Sequence, residues 1–220
     1  MTGKNCAVIT GGAGSLAQAL TAVLISPEWS VAAPSHTDLD VTDLSAIKRY
    51  FDDRFVDLLV CAAGVTDDAL LLRLTEHSWD QTWAVNFTGA AACAAAVLPN
   101  MVARNCGHIV LISSHSAIHP PLGQVAYASA KAALLGLVAD LAQHYGKSNI
   151  RINAVLPGFL ETQMTRNVSE KRRSEILQDH QLNRFNTCDA VARFIRHLHF
   201  ELPHTSGQVF QLDSRRSFWP

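Results

Sequence analysis

The chain has 220 residues, of which 48% are hydrophobic and 17% charged, and its formal net charge is −1. This balance excludes a disordered chain, and the missing excess of positive charge argues against a nucleic-acid partner. The length fits one domain, so we expect residues 1–220 to form a single dinucleotide-binding and catalytic unit without a linker.

Apolar runs rich in β-formers alternate with helical patterns along the chain. The predicted strands are Cys6–Thr10, Ser30–Ala33, Asp57–Cys61, His108–Ser113, Ile150–Leu156 and Gln208–Leu212. The predicted helices are LAQALTAVLI after the first strand and stretches at about 78–104, 126–144 and 189–199. Ser78, with Gln81 three residues later, resembles a capping box at the start of the second helix.

Strands that are apolar throughout and separated by helices predict a parallel sheet covered on both faces. Right-handed crossovers make such a sheet doubly wound. The predicted fold class is therefore α/β, a single-domain Rossmann-type doubly wound parallel sheet with helices on both faces.

The cysteine pattern and the apolar runs bear on the compartment. The five cysteines are scattered, and none forms a C-x-x-C pair, which predicts reduced intracellular thiols.

His115 and His119 have the spacing of a metal pair, but they flank two prolines with no acid nearby, so we expect no metal. The chain shows no cleavable apolar segment and no uninterrupted apolar stretch of membrane-spanning length. A cytoplasmic protein without a membrane partner is expected.

A glycine-rich turn, TGGAGSLA at 10–17, joins the first strand to the first helix. Gly12, Gly14 and Ala17 match the dinucleotide pattern G-x-G-x-x-G/A. Glycines permit a tight turn and close backbone approach, and the helix N-terminus offers free N–H groups to a pyrophosphate. The alternative is a purely structural turn. The residues predicted to contact the nucleotide here are Gly11, Gly12, Gly14, Ser15 and Leu16.

The residues after the second strand bear on the choice of nucleotide. An acid at its end would hold the ribose hydroxyls of NAD and repel the extra phosphate of NADP. Residues 31–36 contain no acid, and no lysine or arginine follows to bind that phosphate. Ser35 and His36 are the available polar groups. The sequence therefore leans slightly to NADP(H), with NAD(H) as the alternative.

Several fragments are in register with the short-chain dehydrogenase/reductase family. SSHSAIHPPLGQVAYASAK is similar to its active-site segment, with Ser114 thirteen residues before Tyr127 and Lys131 four after it. NAVLPGFLETQM at 153–164 resembles its proline–glycine segment, VNFTG places Asn86 at its fourth active-site position, and LDVTD places Asp40 and Val41 at the adenine. The similarity covers nearly the whole chain, and the joint spacing makes it specific.

The resemblance implies roles for these residues. Ser114 would hold the substrate oxygen, Lys131 would also bind the nicotinamide ribose, and Asn86 would help a water carry protons to the lysine. The remaining nucleotide contacts that it implies are Ser35, Asp40, Val41, Ala63, Gly64, Tyr127, Pro157, Gly158 and Thr162.

The chemistry gives a reason for the pair Tyr127 and Lys131, which share one face of a helix. A free tyrosine has a pKa of about 10, and lowering it to about 7 takes roughly 4 kcal/mol of differential stabilisation. We expect the ammonium of Lys131 to supply much of it. Tyr127 is then the general acid in reduction and the base in oxidation. The alternative is a helix that only packs.

Within the family, residues 63–89 and the C-terminal part most resemble 3-oxoacyl-acyl-carrier-protein reductases of fatty acid biosynthesis. The expected reaction is NAD(P)-dependent reduction of a 3-oxoacyl thioester, carried by acyl carrier protein or coenzyme A. The alternatives are a reductase of another small carbonyl in secondary metabolism and a non-catalytic dinucleotide-binding regulator. The resemblance also implies a homo-oligomer, a tetramer or dimer. The small-sided helix at Gly89–Ala96 allows close helix approach, either inside the subunit or across a symmetric interface.

Some features depart from the family pattern. Ser15 and Ala17 add Cβ atoms where glycines are common, and Cys61-Ala62 replaces two asparagines. The interval from Gly14 to Asp40 is short, as if one helix were deleted. In the expected substrate lid, around 160–186, five cations form either a solvated face or a surface for an acidic carrier. These cations are Arg166, Lys171, Arg172, Arg173 and Arg184.

Overall fold

A computed structural model describes residues 4–215. Its strands are β1 (Asn5–Ile9), β2 (Trp29–Ala32), β3 (Leu58–Cys61), β4 (Gly107–Ile112), β5 (Ile150–Leu156) and β6 (Val209–Gln211). They form one sheet in the order β2-β1-β3-β4-β5-β6, and every neighbouring pair is parallel. The predicted Rossmann-type α/β fold is confirmed.

Seven α-helices connect the strands within the described residues. They are α1 (Ser15–Leu24), α2 (Leu44–Phe51), α3 (Glu76–Trp83), α4 (Gly89–Arg104), α5 (Val125–Tyr145), α6 (Glu170–Gln178) and α7 (Cys188–Phe200). A π-helical turn, Ala84–Thr88, joins α3 to α4.

Two local predictions need correction. The helix predicted to start at Ser78 begins at Glu76, and its cap is Thr75, whose Oγ1 accepts the N–H of Ser78 at 3.1 Å. A threonine three residues earlier therefore outcompetes the expected serine cap. The short helix α2 was not predicted; Asp43 caps it, and Ile47 and Phe51 bury its inner face.

Successive residues of the central strands enter opposite layers. In β3, Leu59 and Cys61 pack in the layer that contains α2, α4 and α5. Leu58 and Val60 of the same strand pack in the layer of α1 and α7. The period of two is what places one set of side chains on each face of a sheet. Because both faces are covered, the strands are apolar throughout, which is the pattern from which the sheet was predicted.

The strand order reverses at β1, which lies between β2 and β3. In open α/β sheets, ligands bind in the crevice at the carboxyl ends of the strands beside such a reversal. The glycine turn after β1 and residues Ala62–Gly64 after β3 both lie at this edge. The topology therefore brings the two segments together.

Two helical stretches, Glu76–Arg104 and Val125–Ser148, are long and apolar enough to cross a membrane by length and composition alone. About half of the apolar window in the first and a third of that in the second is buried inside the protein. Residues of α4 and α5 belong to the core layer against the sheet. Burial in a core accounts for much of their apolar character.

A buried histidine network lies toward the amino ends of the strands, away from the crevice. Asn153 Oδ1 accepts the N–H of Gln208, so its Nδ2 donates to Thr205 O and to His108 Nε2 at 3.2 Å. His108 must then carry its proton on Nδ1 and donate it to His199 Nδ1, 3.1 Å away. Both imidazoles are therefore neutral, because a further proton on either ring would set two donors against each other.

Burial and the nearby Arg151 guanidinium lower the pKa of both histidines, that of His199 to about 4. The unfolded chain takes up a proton at pKa about 6.5, so it gains protons before the folded one and stability falls below that pH. We expect the free energy of unfolding to drop by about 2 kcal/mol between pH 7 and pH 5 from His199 alone. Urea unfolding at the two pH values measures it.

Changing His199→Phe keeps the edge-on ring contacts with Trp29 and Phe200 and removes the titrating group. This variant should be less stable at pH 7 but lose about 2 kcal/mol of the pH dependence. His204→Gln, at an exposed position, should behave as the parent protein. An unchanged pH dependence in His199→Phe would show that this imidazole is not held neutral.

Candidate active site

The glycine turn after β1 lies between two other segments and contacts the backbone of both directly. Gly11 has a φ of +73°, and a Cβ there would lie 2.9 Å from the Cα of Ala63. A Cβ on Gly12 would lie 1.9 Å from Ala33 O, and the Gly12 N–H donates to Pro34 O at 2.8 Å. Only glycine fits at these two positions, since backbone atoms cannot move aside as side chains do.

The N-terminus of α1 opens from this turn toward solvent. Gly14 is its N-cap and is exposed, no side chain caps the helix, and no acid occupies its first turn. The first N–H groups of a helix have no intrahelical partner, and the helix dipole favours an anion there. The turn therefore fits a pyrophosphate.

The two small residues that depart from the glycine pattern are placed differently. Ala17 is 1% exposed and packs in the core layer of α1 and α7, so its Cβ points into the protein. Ser15 is half-buried at the first helical position. Ala17 thus serves the packing of helix against sheet, which is the ordinary task of the last residue of the pattern.

The loop after β2 carries carboxylates that the strand itself lacks. Ser35 donates its N–H and its hydroxyl to Asp38 Oδ2 at 2.9 and 2.6 Å, and these bonds lower the pKa of Asp38. Asp40 Oδ1 accepts the N–H and hydroxyl of Thr42, which lower the pKa of Asp40. Val41 is buried against Gly89, where a Cβ would lie 2.6 Å from Val41 O.

Tyr127 and Lys131 lie on the same side of α5. The Lys131 Nζ is 5.8 Å from the centre of the Tyr127 ring and donates to Ile112 O at 2.9 Å. Ser113 donates its hydroxyl to Lys131 O at 2.8 Å. The second turn of α5 is therefore tied to the carboxyl end of β4, beside the crevice.

Ser114 and Asn86 approach the same place from other segments. Ser114 follows β4, and its hydroxyl lies near enough to Tyr127 to oppose the rise in the pKa of that phenol. Asn86 sits in the π-helical turn, where its Nδ2 donates to Val65 O and Thr82 O, and its Oδ1 faces the Val65 N–H at 3.3 Å. A Cβ on Gly64 would lie 3.0 Å from Asn86 Oδ1 and 3.6 Å from Lys131 Nζ. All four predicted catalytic residues thus converge.

The electrostatics of the pair differ from the expectation. Burial raises the pKa of Tyr127, with Ser114 opposing the rise and Asp68 adding to it. Burial lowers the pKa of Lys131 to about 8. The expected lowering of the tyrosine pKa by the ammonium is absent from the described protein, because the site disfavours both the phenolate and the ammonium. Tyr127 is held as the phenol.

The turn after β5 completes the crevice. Gly158 has a φ of +86°, and its missing side chain makes room for Asp213. Asn186 Nδ2 donates to Pro157 O at 2.9 Å and holds the turn from the other side. Thr162 caps the short helix Gln163–Thr165 that follows.

His115 and His119, set aside as metal ligands, are not part of any cluster of three potential metal ligands among the described residues.

Comparison with known proteins agrees with this geometry. The family model for the short chain dehydrogenases matches residues 34–173. The 3-oxoacyl-[acyl-carrier-protein] reductase of Thermotoga maritima is 34% identical, over 97% of this chain and 97% of its own length. The reductases of the same name from Aquifex aeolicus and Synechocystis sp. are 32% and 30% identical, over 94% and 96% of this chain.

The chain belongs to the short-chain dehydrogenase family. It is therefore an oxidoreductase, and the family implies a nicotinamide dinucleotide as its cofactor. The residues present fit that group, because the free helix N-terminus, the side-chain-free Gly64 and the phenol of Tyr127 follow one another along the crevice.

One supporting residue of this short-chain dehydrogenase was missed. Thr10 is 2% exposed, and its Oγ1 accepts the N–H groups of both Ala62 and Ala63 at 3.1 Å. The hydroxyl thereby holds the segment that the asparagines of the family pattern would be expected to stabilise. Its position directly before the two glycines was the available signal, but the partners are more than fifty residues away along the chain.

Gly12→Ala tests the close backbone contact between the glycine turn and Ala33. The added Cβ would meet Ala33 O at 1.9 Å, so we expect a loss of about 2 kcal/mol or more of unfolding free energy and displacement of the loop after β2. Gly146→Ala is the matched control, since that glycine has helical angles and no atom within 4 Å of its Cβ position. The control should be slightly stabilised. Equal stability of the two variants in urea would contradict the contact.

Proposed function

We propose that this short-chain dehydrogenase reduces the keto group of a 3-oxoacyl thioester to an alcohol. The main support for this reaction is that Ser114, Tyr127 and Lys131 lie together beside a glycine turn suited to a pyrophosphate. The substrate class is supported by three relatives that match nearly the whole chain and bear the name 3-oxoacyl-[acyl-carrier-protein] reductase.

The chain's own residues would handle the oxygen and the proton. When bound, the reduced nicotinamide supplies the hydride. Ser114 donates a hydrogen bond to the substrate oxygen, and Tyr127 gives it the proton as negative charge develops. The raised pKa of Tyr127 suits this direction, since the acid must be present as phenol at neutral pH. Oxidation of the alcohol needs the phenolate and should become faster as the pH rises.

Lys131 would link the proton donor to the rest of the site. Its ammonium, tied to Ile112 O, lies beside the Tyr127 ring and near Asn86 Oδ1, and can return a proton to the tyrosine through a water. The nucleotide would be held by the glycine turn, the loop after β2, Ala63–Gly64 and the turn after β5. The individual residues in this proposal are Gly11, Gly12, Gly14, Ser15, Leu16, Ser35, Asp40, Val41, Ala63, Gly64, Tyr127, Lys131, Pro157, Gly158 and Thr162.

Turnover with acetoacetyl-coenzyme A and a panel of small ketones tests the substrate class. We expect loss of reduced-nucleotide absorbance with the thioester and little with the ketones. Tyr127→Phe should lower kcat by about 100-fold or more while leaving nucleotide affinity and the folded state intact. Tyr50→Phe, on α2, is the control and should keep the parent rate.

Other outcomes favour the alternatives. Activity on a small ketone alone would make the protein a reductase of another carbonyl, as in secondary metabolism. Nucleotide binding without turnover on any carbonyl would favour a regulatory dinucleotide-binding protein. A Tyr127→Phe variant with most of its rate would remove the tyrosine from the mechanism.

The choice of nucleotide rests on the loop after β2. The sequence leans slightly to NADP(H) because it shows no acid at the strand end. Two observations oppose a preference for NADP(H). The Ser35 hydroxyl already donates to Asp38, and Asp38 and Asp40 are both ionised. The nearby His36 is 3.7 Å from Asp40. Since carboxylates repel a second phosphate, we propose that NAD(H) is preferred over NADP(H).

Asp38→Asn tests this preference. The amide oxygen can still accept from Ser35, but the charge is gone, so kcat/KM with NADPH relative to NADH should rise about threefold to tenfold. Asp53→Asn, an exposed acid beyond α2, is the control and should leave the ratio unchanged. A strong NADPH preference in the parent, or a ratio unaffected by Asp38→Asn, would contradict the proposal.

A carrier-linked substrate is part of the proposal, with residues 160–186 as the lid of one domain spanning 1–220. Two of the five lid cations are engaged within the chain: Arg172 with Glu175 at 3.0 Å, and Arg173 with Glu161. Across residues 4–215, the other three form no ion pair. They are therefore the lid cations most readily available to bind an acidic carrier protein or a coenzyme A phosphate. They are Arg166, Lys171 and Arg184.

A homo-oligomer, a dimer or tetramer in the cytoplasm, is also proposed. An apolar groove of about 360 Å³ runs between α4 and α5 and is lined by Ala91, Ala95, Leu98, Pro99, Val102, Leu137, Leu141 and Tyr145. The small side chains of α4 let a second copy approach closely.

Sedimentation analysis tests the oligomer. The parent protein should sediment as a dimer or tetramer, and Ala95→Arg should yield a folded monomer because residue 95 is exposed in the single chain. A monomeric parent protein would refute this interface.

A further inference from the structure

A buried charged cluster joins three segments beside the turn after β5. Asp213 and Arg215 follow β6, and Arg215 Nε donates to Asp213 Oδ2 at 2.6 Å. His180, just after α6, has its Nε2 3.8 Å from the same oxygen. The side chains of His180 and Asp213 have no exposed surface, and that of Arg215 is 13% exposed. We call these three residues the Asp213 cluster.

Asp213 is packed directly against the turn. A Cβ on Gly158 would lie 2.6 Å from the Cβ of Asp213 and 2.9 Å from its Oδ2. The other carboxylate oxygen accepts from Gln211 Nε2 at 2.7 Å and from the Arg215 N–H at 3.3 Å. The position of the Pro157–Gly158 turn therefore depends on where the Asp213 side chain is held.

The end of the lid is attached to the same segment. Gln181 N–H donates to Ser214 O at 3.0 Å, and Leu182 N–H donates to Ser214 Oγ at 3.2 Å. Asn186 Nδ2 bridges Pro157 O and Leu212 O, at 2.9 Å each. Lid, turn and the residues after β6 thus form one connected unit.

The hydrogen bonds of His180 indicate its protonation state. Its Nδ1 is 2.7 Å from Ile176 O, a carbonyl that can only accept, so Nδ1 carries a proton. Its Nε2 is buried and has no hydrogen-bond partner among the described residues. In a neutral ring this nitrogen would direct a lone pair at the Asp213 carboxylate, whereas an imidazolium would direct an N–H at it. A buried polar atom without a partner is costly, which favours the protonated ring.

We propose that His180 is a positioning residue, held as an imidazolium against Asp213, and that this ion pair fixes the Pro157–Gly158 turn for nucleotide binding. The consequence for the nucleotide rests on the proposed function; the ion pair itself does not. With a neutral ring, Nε2 would direct a lone pair at Asp213 Oδ2, so the contact would be lost and the turn would loosen.

The groups that surround His180 are compatible with one added charge. Arg215 and Asp213 face it from the segment after β6, and His115 faces it from the turn after β4. The His119 ring lies tilted against that of His115, with 4.8 Å between the ring centres. Burial and Arg215 lower the pKa of His115 to about 4, so this second ring remains neutral. Phe185 covers the His180 ring edge-on at 5.6 Å.

Nitrogen-detected NMR of the imidazoles tests the ion pair directly. At pH 6 we expect His180 to show two protonated ring nitrogens in the parent protein, and a neutral ring in Asp213→Asn. A neutral His180 at pH 6 in the parent, or an imidazolium that persists in Asp213→Asn, would overturn the proposal whatever the activity of the enzyme.

Nucleotide affinity, followed by fluorescence with NADH and NADPH, tests the positioning role. We expect the dissociation constant to be about threefold to tenfold higher in His180→Leu than in the parent protein, because the contact with Asp213 is lost. His180→Gln, whose amide can donate to Asp213, should bind as the parent does. His119→Gln, an exposed control, should also follow the parent. Parent-like affinity in His180→Leu, or affinity as weak as that of His180→Leu in His180→Gln, would show that this side chain does not position the turn.

Discussion

The active site depends on close backbone contact at the carboxyl ends of the first strands. Gly11 contacts the backbone of Ala63, and Gly12 contacts that of Ala33, so three separate segments meet without side chains between them. This contact aligns the N-terminus of α1 with the crevice at the strand reversal. The N–H groups for a pyrophosphate, and the adenosine loop beside them, follow from it.

The second constraint is burial of the catalytic pair. In water, a phenol and an ammonium four residues apart would favour the phenolate, but here Lys131 is buried and Tyr127 is half-buried. The pKa of Tyr127 is raised and that of Lys131 is lowered to about 8, so the low-polarity surroundings outweigh their mutual attraction. Such a site favours proton donation, which is the requirement of carbonyl reduction. A phenolate would need an additional positive charge in the crevice, such as that of an oxidised nicotinamide ring.

The departures from the family pattern are met by local substitutes. Thr10 binds the backbone of Ala62 and Ala63 in place of missing asparagine side chains, and Ala17 turns its Cβ into the core. The loop after β2 is short, yet it still brings Asp38 and Asp40 to the end of the strand. The altered residues therefore leave the crevice open and its backbone held, which supports an active enzyme over a regulatory remnant.

The sequence alone determined the features that depend on local spacing. Alternation of apolar strands and helices predicted the doubly wound sheet, and the glycine turn was placed correctly between β1 and α1. The shared face of Tyr127 and Lys131 followed from helical geometry. The eight-residue α2 escaped detection because its apolar face consists of little more than Ile47 and Phe51.

Tertiary structure decided what depends on contacts between distant residues and on burial. The direction of the Tyr127 pKa, the acceptor role of Thr10, the neutral pair His108 and His199, and the cluster around Asp213 belong to this class. Each arises where segments fifty or more residues apart, or separate elements, enclose a polar group and remove its water. A sequence pattern shows which groups a chain carries, but not the dielectric surroundings that set their protonation.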